Sequence, residues 1–263
     1  MRRTLTFACE GSSLAASLDE GERTTGLLIV SGGNEIRSGA HRGMAQLAQT
    51  IAAADWPVFR FDRRGVGDSE GVNGGYLSSG PDIAAARRAF RSQCPHLQTI
   101  VAFGNCDAAT ALVLHDAEVD ARVLANPWVV EPRDALPPPA AIRDRYARRL
   151  RDPAAWAALL TGRIDLKALA KGLGRIASPA PTTPDSLAAR FVAGIASRPT
   201  TILLAERDVT AIAFADEWQR CFVEGIAMRR LDSASHSFAQ TSEAVWLEAA
   251  LLDVLEATSS PQA

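Results

Sequence analysis

Short apolar runs rich in β-branched residues alternate along the chain with longer stretches in which apolar residues recur at helical spacing. This alternation is typical of βαβ units around a mostly parallel sheet. The pattern predicts strands at residues 4–8, 13–18, 27–31, 57–61, 99–103, 121–125, 200–205 and 227–231. It predicts helices at 43–54, 82–91, 108–115, 211–223 and 241–255, with Ser79 as the N-cap of the second of these and Pro81 in its first turn. The first two strands have no helix between them and are expected to form an antiparallel hairpin.

The pattern changes after Pro127. Residues 131–198 contain several prolines and no convincing strand, and Ile142, Tyr146 and Leu150 fall on one apolar helical stripe. Further short helices are predicted at 153–160, 165–171 and 185–196. We therefore expect a core formed by residues 1–130 and 199–257, a helical cap insertion at 131–198, and a flexible tail at 258–263.

Composition narrows the class of protein. The 263 residues are 47% hydrophobic and 22% charged, with a net charge of -2, which is ordinary for a globular protein with one sizeable core. No nucleic-acid or membrane partner is indicated, and with neither a signal-peptide pattern nor a membrane span a cytoplasmic location is expected. The four cysteines show no CxxC pairing, so each is expected to be a free thiol and no metal or other cofactor is predicted.

Five residues between a predicted strand and a predicted helix carry the strongest chemical signal: Gly104, Asn105, Cys106, Asp107 and Ala108. The residue at the centre of such a sharp turn has strained backbone dihedral angles, and the residues two positions before and after it must be small. Gly104 and Ala108 meet that need. The turn lifts Cys106 above the strand ends at a helix N-terminus, which favours a thiolate. The alternative is that Cys106 is only a small residue tolerated at a structural turn.

Two partners for a cysteine nucleophile follow from chain order. Of the four histidines, His236 lies in the polar segment SASHSF directly after a predicted strand, at the same sheet edge as Cys106. Asp208 follows the strand at 200–205 and would orient the imidazole. A solvated loop histidine and a helix N-cap are the alternative interpretations of these two residues, and Asp232 and Glu206 are alternative carboxylates.

Acyl chemistry also needs donors for a developing oxyanion. The backbone amide of Asp107 is one candidate, and the amide of Gly33 or Asn34, in the loop after the strand at 27–31, is the other. The same glycines would equally serve a tight turn. Arg37, His41 and Arg42 follow this loop and are candidates for contacting a polar or anionic part of a substrate, although a solvent-facing helix start explains them equally well.

These residues together resemble the α/β-hydrolase superfamily over nearly the whole chain. The segment FDRRGVGDSEG, residues 61–71, looks like the loop after that superfamily's fourth strand. More narrowly, SGGNEIRSGAHR, FDRRGVGDSEG, GNCDAATALVL and NPWV are similar to the hydrolase 1 group associated with the exosortase A system of exopolysaccharide-producing bacteria. The sequence departs from the serine-hydrolase pattern in having Cys106 where serine is usual and Ala108 where glycine is usual.

The resemblance implies an α/β-hydrolase fold with a helical cap and a role near envelope polysaccharide or exported-protein processing. From the residues we expect a hydrolase that acts on a carboxylic ester or thioester, with Cys106 as nucleophile, His236 as acid and base, and Asp208 as orienting group. The expected partner is a small acyl substrate, free or carrier-bound. Acyl transfer through the same residues and non-catalytic ligand binding are the rival hypotheses.

Overall fold

The computed structural model describes residues 1–116, 118–130, 140–144, 185–221 and 223–259, which form one eight-stranded sheet flanked by helices. The spatial order of the strands is β1-β2-β4-β3-β5-β6-β7-β8. The first two strands pair antiparallel, β2 pairs antiparallel with β4, and the remaining neighbours are parallel. The prediction of a mostly parallel sheet of about eight strands is confirmed. The strands are β1 (Arg2–Cys9), β2 (Ser12–Asp19), β3 (Thr25–Val30), β4 (Val58–Phe61), β5 (Thr99–Asn105), β6 (Ala121–Ala125), β7 (Thr200–Ala205) and β8 (Ala227–Leu231).

Helices cover both faces of this sheet, because alternate residues of each strand point to opposite sides. In β3, Leu28 belongs to one apolar cluster and Leu27 to the other. The first cluster contains side chains of α2, α3, α4 and α5, and the second contains side chains of α1 and α6. The helices are α1 (Gly43–Ala53), α2 (Gly80–Gln93), α3 (Asp107–Leu114), α4 (Leu187–Ile195), α5 (Val209–Arg220) and α6 (Thr241–Ser259).

Three helix ends differ from the predicted ones. The hydroxyl of Ser79 does not cap α2 but donates to the carbonyl of Tyr76 at 2.7 Å, so the predicted side-chain cap is wrong. The helix α5 starts at Val209 because the carboxylate of Asp208 accepts the amides of its first turn. The last helix continues to Ser259, whose hydroxyl donates to that of Thr25 at 2.9 Å, so the first two residues of the tail predicted at 258–263 are helical and the other four lie outside the described residues.

The predicted cap falls mostly outside the described residues, including the helices expected at 153–160 and 165–171. Within it, α4 packs against the core through Phe191 and Ile195, which are 1% and 0% exposed. The rings of Phe191 and Phe214 meet edge to face with centroids 5.8 Å apart. This part of the predicted cap therefore belongs to the helix layer of the sheet. None of the described helices is both long enough and apolar enough to span a membrane.

A buried arginine joins the helix layer to the amino-terminal edge of the sheet. Arg122, near the start of β6, is fully buried. Its guanidinium donates to the carbonyls of Leu112, Gly194 and Ile195 at 3.2, 3.1 and 2.8 Å. It also donates to the hydroxyls of Ser197 and Thr200, each at 3.3 Å. Because the last carbonyls of a helix have no partner within it, Arg122 supplies donors at the ends of α3 and α4.

Candidate active site

Cys106 lies on a sharp turn between β5 and α3. Its backbone has φ 60° and ψ -123°, a left-handed conformation that only glycine adopts without strain. A Cβ added at Gly104 would stand 2.8 Å from the carbonyl carbon of Ala108 and from the amide nitrogen of Ala109, so this position requires glycine. The turn is held by the amide of Cys106, which donates to Ala125 at 2.9 Å, and by its carbonyl, which accepts from Trp128 at 3.2 Å.

His236 lies in a loop that is held by hydrogen bonds among its own residues and to the start of α6. The hydroxyl of Ser233 donates to the carboxylate of Glu243 and accepts the amide of Ser235 at 2.9 Å. The second carboxylate oxygen of Glu243 accepts the amide of Gln240 at 3.0 Å. These bonds close the loop between β8 and α6 onto the start of that helix. The half-exposed side chain of His236 is therefore carried by a defined turn at the carboxyl edge of the sheet.

Asp208 contacts His236 and caps a helix with the same oxygen. Its Oδ2 lies 3.1 Å from Nδ1 of His236 and accepts the amides of Thr210 and Ala211 at 3.0 and 3.1 Å. The side chain is only 9% exposed. A carboxylate at an N-cap is also favoured by the positive end of the helix dipole. The two interpretations of Asp208 left open by the sequence, orienting group and helix cap, therefore coexist in one side chain.

The alternative carboxylates do not meet the histidine. The side chain of Asp232 is 81% exposed and pairs with Arg207 at 2.8 Å. Glu206 faces Arg230 at 3.5 Å. Two of the other three histidines have contacts elsewhere: Nε2 of His96 lies 3.1 Å from the carbonyl of Gly21, and Nε2 of His115 lies 3.0 Å from that of Tyr76.

The electrostatic surroundings of His236 favour the imidazolium. Its pKa is raised from 6.5 to about 10, first by the hydrogen bond with Asp208 and next by a hydrogen bond with Cys106, while burial acts in the opposite direction. The imidazole thus interacts with both Asp208 and Cys106, and its contact with Asp208 joins Nδ1 to Oδ2 at 3.1 Å.

Asn126 was not singled out by the sequence, although it opens the NPWV segment. This fully buried residue follows β6, and its Nδ2 donates to the carbonyl of His236 at 3.2 Å and to Oδ1 of Asn105 at 3.3 Å. Nδ2 of Asn105 donates to the same His236 carbonyl at 3.0 Å, and Oδ1 of Asn126 accepts the amide of Ala205 at 2.9 Å. We call Asn105 and Asn126 the amide pair. It joins the ends of β5, β6 and β7 to the loop that carries His236. The sequence signal that could have indicated Asn126 is an asparagine directly after a predicted buried strand.

The loop after β3 stands against the elbow. A Cβ added at Gly32 would lie 2.7 Å from both the carbonyl oxygen of Asn105 and Oδ1 of Asp107. The amide of Gly33, one of the predicted oxyanion donors, instead donates to Oδ1 of Asp107 at 2.7 Å. Among the described residues, the amides of Asn34 and Asp107 have no protein acceptor. Of the predicted donors, these two are therefore available to a ligand, and that of Gly33 is taken.

The three predicted substrate contacts lie in two different settings. The guanidinium of Arg37 is ion-paired with Asp62 and with Asp68, the latter at 2.9 Å, and it also contacts Ser17 at 3.3 Å. These bonds account for Arg37 without a ligand. His41 and Arg42 are exposed and have positive φ values of 51° and 62° at the start of α1.

Comparison with solved structures identifies the architecture. An esterase from Pyrococcus furiosus superposes with a TM-score of 0.65 at 12% identity, covering 97% of this chain and 90% of that one. The chain has the α/β-hydrolase fold. An α/β-hydrolase from Penicillium sp. sh18 gives a TM-score of 0.63 at 16% identity, with coverage of 98% and 99%. A serine hydrolase without a lid from Xanthomonas campestris gives 0.60 at 15%, with coverage of 97% and 94%.

At these identities the comparisons establish the fold and not the reaction. No family model and no curated protein sequence matches the chain. The narrower likeness to the exosortase-associated group therefore stays a prediction. The three strand-end residues Cys106, Asp208 and His236 lie at the edge where parallel sheets of this kind place their ligands.

Proposed function

We propose that this α/β-hydrolase-fold chain is an enzyme that hydrolyses a carboxylic ester or thioester through a Cys106 thioester intermediate. The observation that carries the proposal is the pairing of His236 with Asp208 at 3.1 Å, together with the strained turn that holds Cys106, whose side chain also raises the pKa of His236. That many solved structures with this architecture are described as esterases or hydrolases adds support from fold alone.

In the first half-reaction the thiolate of Cys106 attacks the acyl carbonyl carbon, and the carbonyl electron pair moves onto oxygen. The amides of Asn34 and Asp107 are the donors available for that charge. As the tetrahedral species collapses, the bond to the leaving oxygen or sulfur breaks and the imidazolium of His236 gives its proton to the leaving group. Asp208 keeps the ring oriented through Nδ1, so the proton travels on Nε2.

In the second half-reaction neutral His236 removes a proton from water, and the hydroxide attacks the thioester carbon. The new tetrahedral species expels the Cys106 thiolate and releases a carboxylic acid. The imidazolium and the thiolate are then restored together. This balance needs no metal or redox partner, because the only species transferred are an acyl group and protons.

The narrower resemblance extends the proposal to substrate and place. A cytoplasmic enzyme of the exosortase-associated group would act near exopolysaccharide production or exported-protein processing, on an acyl group carried by a small molecule or a carrier. The predicted cap at 131–198, apart from α4, would then cover the site and set acyl selectivity. Acyl transfer remains the rival, since an alcohol or amine in place of water leaves the first half-reaction unchanged.

Intact-protein mass spectrometry after exposure to p-nitrophenyl acetate and a panel of acyl thioesters tests the proposal. We expect one acyl adduct on the wild-type protein and none on Cys106→Ala. Cys221→Ala is the matched control, because Cys221 is also half-buried but lies at the end of α5. An adduct that survives in Cys106→Ala would contradict the mechanism, and the absence of any adduct on the wild type would favour ligand binding without catalysis.

The fate of the adduct separates the two enzymatic hypotheses. Decay in buffer alone indicates hydrolysis. A stable adduct that is discharged only by an added alcohol or amine indicates transfer. Substantial turnover by Cys106→Ser would mean that the site supports an ordinary serine mechanism.

A further inference from the structure

The proposed mechanism assigns no role to Arg63, a buried cation that contacts the loop after β3. Arg63 follows β4 in the segment FDRRGVGDSEG and is 3% exposed. Its Nη2 donates to the carbonyl of Gly33, while its Nε and Nη1 are buried without a hydrogen-bond partner. No carboxylate in the described part of the chain forms an ion pair with it. A buried charge so weakly satisfied calls for a functional explanation.

The hydrogen bond from Arg63 acts on the peptide unit between Gly33 and Asn34. The carbonyl of Gly33 and the amide of Asn34 belong to the same planar group, and this bond is trans, so the N–H points opposite to the C=O. A guanidinium on the carbonyl side both fixes the direction of the Asn34 N–H and draws electron density away from it. The amide becomes a stronger donor on the face remote from Arg63.

The neighbouring peptide unit is held from the other side. Oδ1 of Asp107 accepts the amide of Gly33 at 2.7 Å, and Gly33 has a φ of +53° that lets the chain reverse between the two contacts. The side chain of Asn34 is also anchored, because its Oδ1 accepts from Nδ2 of Asn73 at 2.7 Å. The loop is therefore clamped at three successive groups while the Asn34 amide itself has no acceptor among the described residues.

We propose that Arg63 is a positioning residue that orients and polarises the Gly33–Asn34 peptide, so that the Asn34 amide serves as the second oxyanion donor beside that of Asp107. The inference rests on the proposed acyl chemistry. Because Arg63 forms no ion pair with a described residue, its charge is not neutralised locally. It acts on the oxyanion through the single peptide unit between Gly33 and Asn34. The carboxylate of Asp107 holds the loop at the distance at which both amides face the acyl carbonyl.

Two reactions of the same sulfur isolate this role. Acylation of Cys106 by p-nitrophenyl acetate passes through a tetrahedral oxyanion. Alkylation by iodoacetamide is a direct displacement that forms none. A change that acts on the oxyanion therefore slows the first reaction alone, whereas a change in the nucleophile, in His236 or in folding affects both.

We expect Arg63→Met to lower the rate constant for acylation on the order of 10- to 100-fold, since loss of a whole oxyanion donor costs about 100- to 1000-fold and here the donor remains but is displaced. The alkylation rate should stay within about twofold of wild type. Arg63→Lys keeps the charge and should recover part of the acylation rate. Arg229→Met is the control for losing an arginine, because Arg229 is half-exposed and pairs with Asp253 at 2.6 Å.

Three results would overturn the inference, and they are distinguishable. Equal acylation by wild type and Arg63→Met would remove the role of Arg63 while leaving the proposed function intact. A parallel fall in acylation and alkylation would assign Arg63 to the nucleophile or the fold. A wild-type protein that iodoacetamide alkylates at Cys106 but no ester acylates would defeat the proposed function and this inference together.

Discussion

Two buried arginines at opposite edges of the same sheet use their charge in different ways. Arg122, at the amino-terminal edge, donates to three carbonyls and two hydroxyls. Arg63, at the carboxyl edge, donates to one carbonyl and leaves two nitrogens without a partner. Each guanidinium nitrogen of Arg122 is thus hydrogen-bonded, whereas Arg63, at the edge that carries the candidate site, retains two buried nitrogens without a partner.

Removing the amino-edge arginine should have the largest effect on stability. Arg122→Met deprives the ends of α3 and α4 of donors at a fully buried position, and each buried unsatisfied carbonyl costs about 1–3 kcal/mol. We expect the free energy of unfolding to fall by about 3–5 kcal/mol, measured by urea denaturation. A loss below about 1 kcal/mol would show that the carbonyls find other partners and would weaken the contrast between the two edges.

Substitutions in the amide pair test whether the carboxyl edge also contains a buried side chain whose hydrogen bonds stabilise the fold. Asn126→Ala removes the acceptor for the Ala205 amide and one of two donors to the His236 carbonyl. We expect the free energy of unfolding to fall by about 2–3 kcal/mol and the alkylation of Cys106 to slow, because the Ala205 amide loses its acceptor and the His236 loop loses one of its two donors from the amide pair. Asn105→Ala is the matched control, since the Asn126 donor to His236 remains there. Equal effects of the two variants would contradict the central place of Asn126.

The titration of His236 sharpens the contrast within the site itself. In the wild type its ring should titrate at about 10, followed by NMR of the ring proton with His236→Gln as the assignment control. Asp208→Asn removes the first cause of the raised pKa while retaining an oxygen for the helix cap, so the midpoint should fall toward 6.5. An unchanged midpoint would mean that Asp208 does not govern the charge of the imidazole.

The same raised pKa sets the sign of a pH dependence. A group whose pKa is higher in the folded than in the unfolded chain contributes stability that is complete below the unfolded value. The contribution of His236 is therefore present in full below about 6.5 and disappears as the pH rises through about 10. Thermal unfolding of wild type and His236→Gln between these values should converge as the pH increases. Curves that diverge instead would reverse the assignment of the ion pair.

The smallest expected change in stability belongs to the carboxyl-edge arginine. Arg63→Met replaces a poorly satisfied buried cation by an apolar side chain of similar length, which is often neutral or stabilising. We expect the free energy of unfolding to change by less than about 1 kcal/mol in urea denaturation, even though acylation slows. A loss as large as that of Arg122→Met would make the two arginines equivalent and remove the distinction between the edges.

Much of this architecture could be predicted from local patterns. The strand, elbow and helix around Cys106 follow from hydrophobic periodicity and from the need for a small residue at Gly104, and both are short-range effects of backbone sterics. Asp208 and His236 followed from chain order and from their places after strands. Helix ends were less predictable: the Ser79 hydroxyl bonds a carbonyl before α2 and not an amide within it.

The donors and acceptors around the site were decided only by the tertiary structure. Gly33 and Asp107 are 74 residues apart, and Asn105 and His236 are 131 apart, so no local pattern reveals that they bond. For that reason the sequence offered Gly33 and Asn34 as equal oxyanion donors, whereas folding gives the amide of Gly33 to Asp107. Asn126 and Arg63 likewise could not be singled out as site residues from the sequence. The sequence of each strand and the order of the strands determine which side chains lie at the carboxyl edge of the sheet. Which of these side chains form hydrogen bonds with one another depends on distances that are fixed only when the strands assemble.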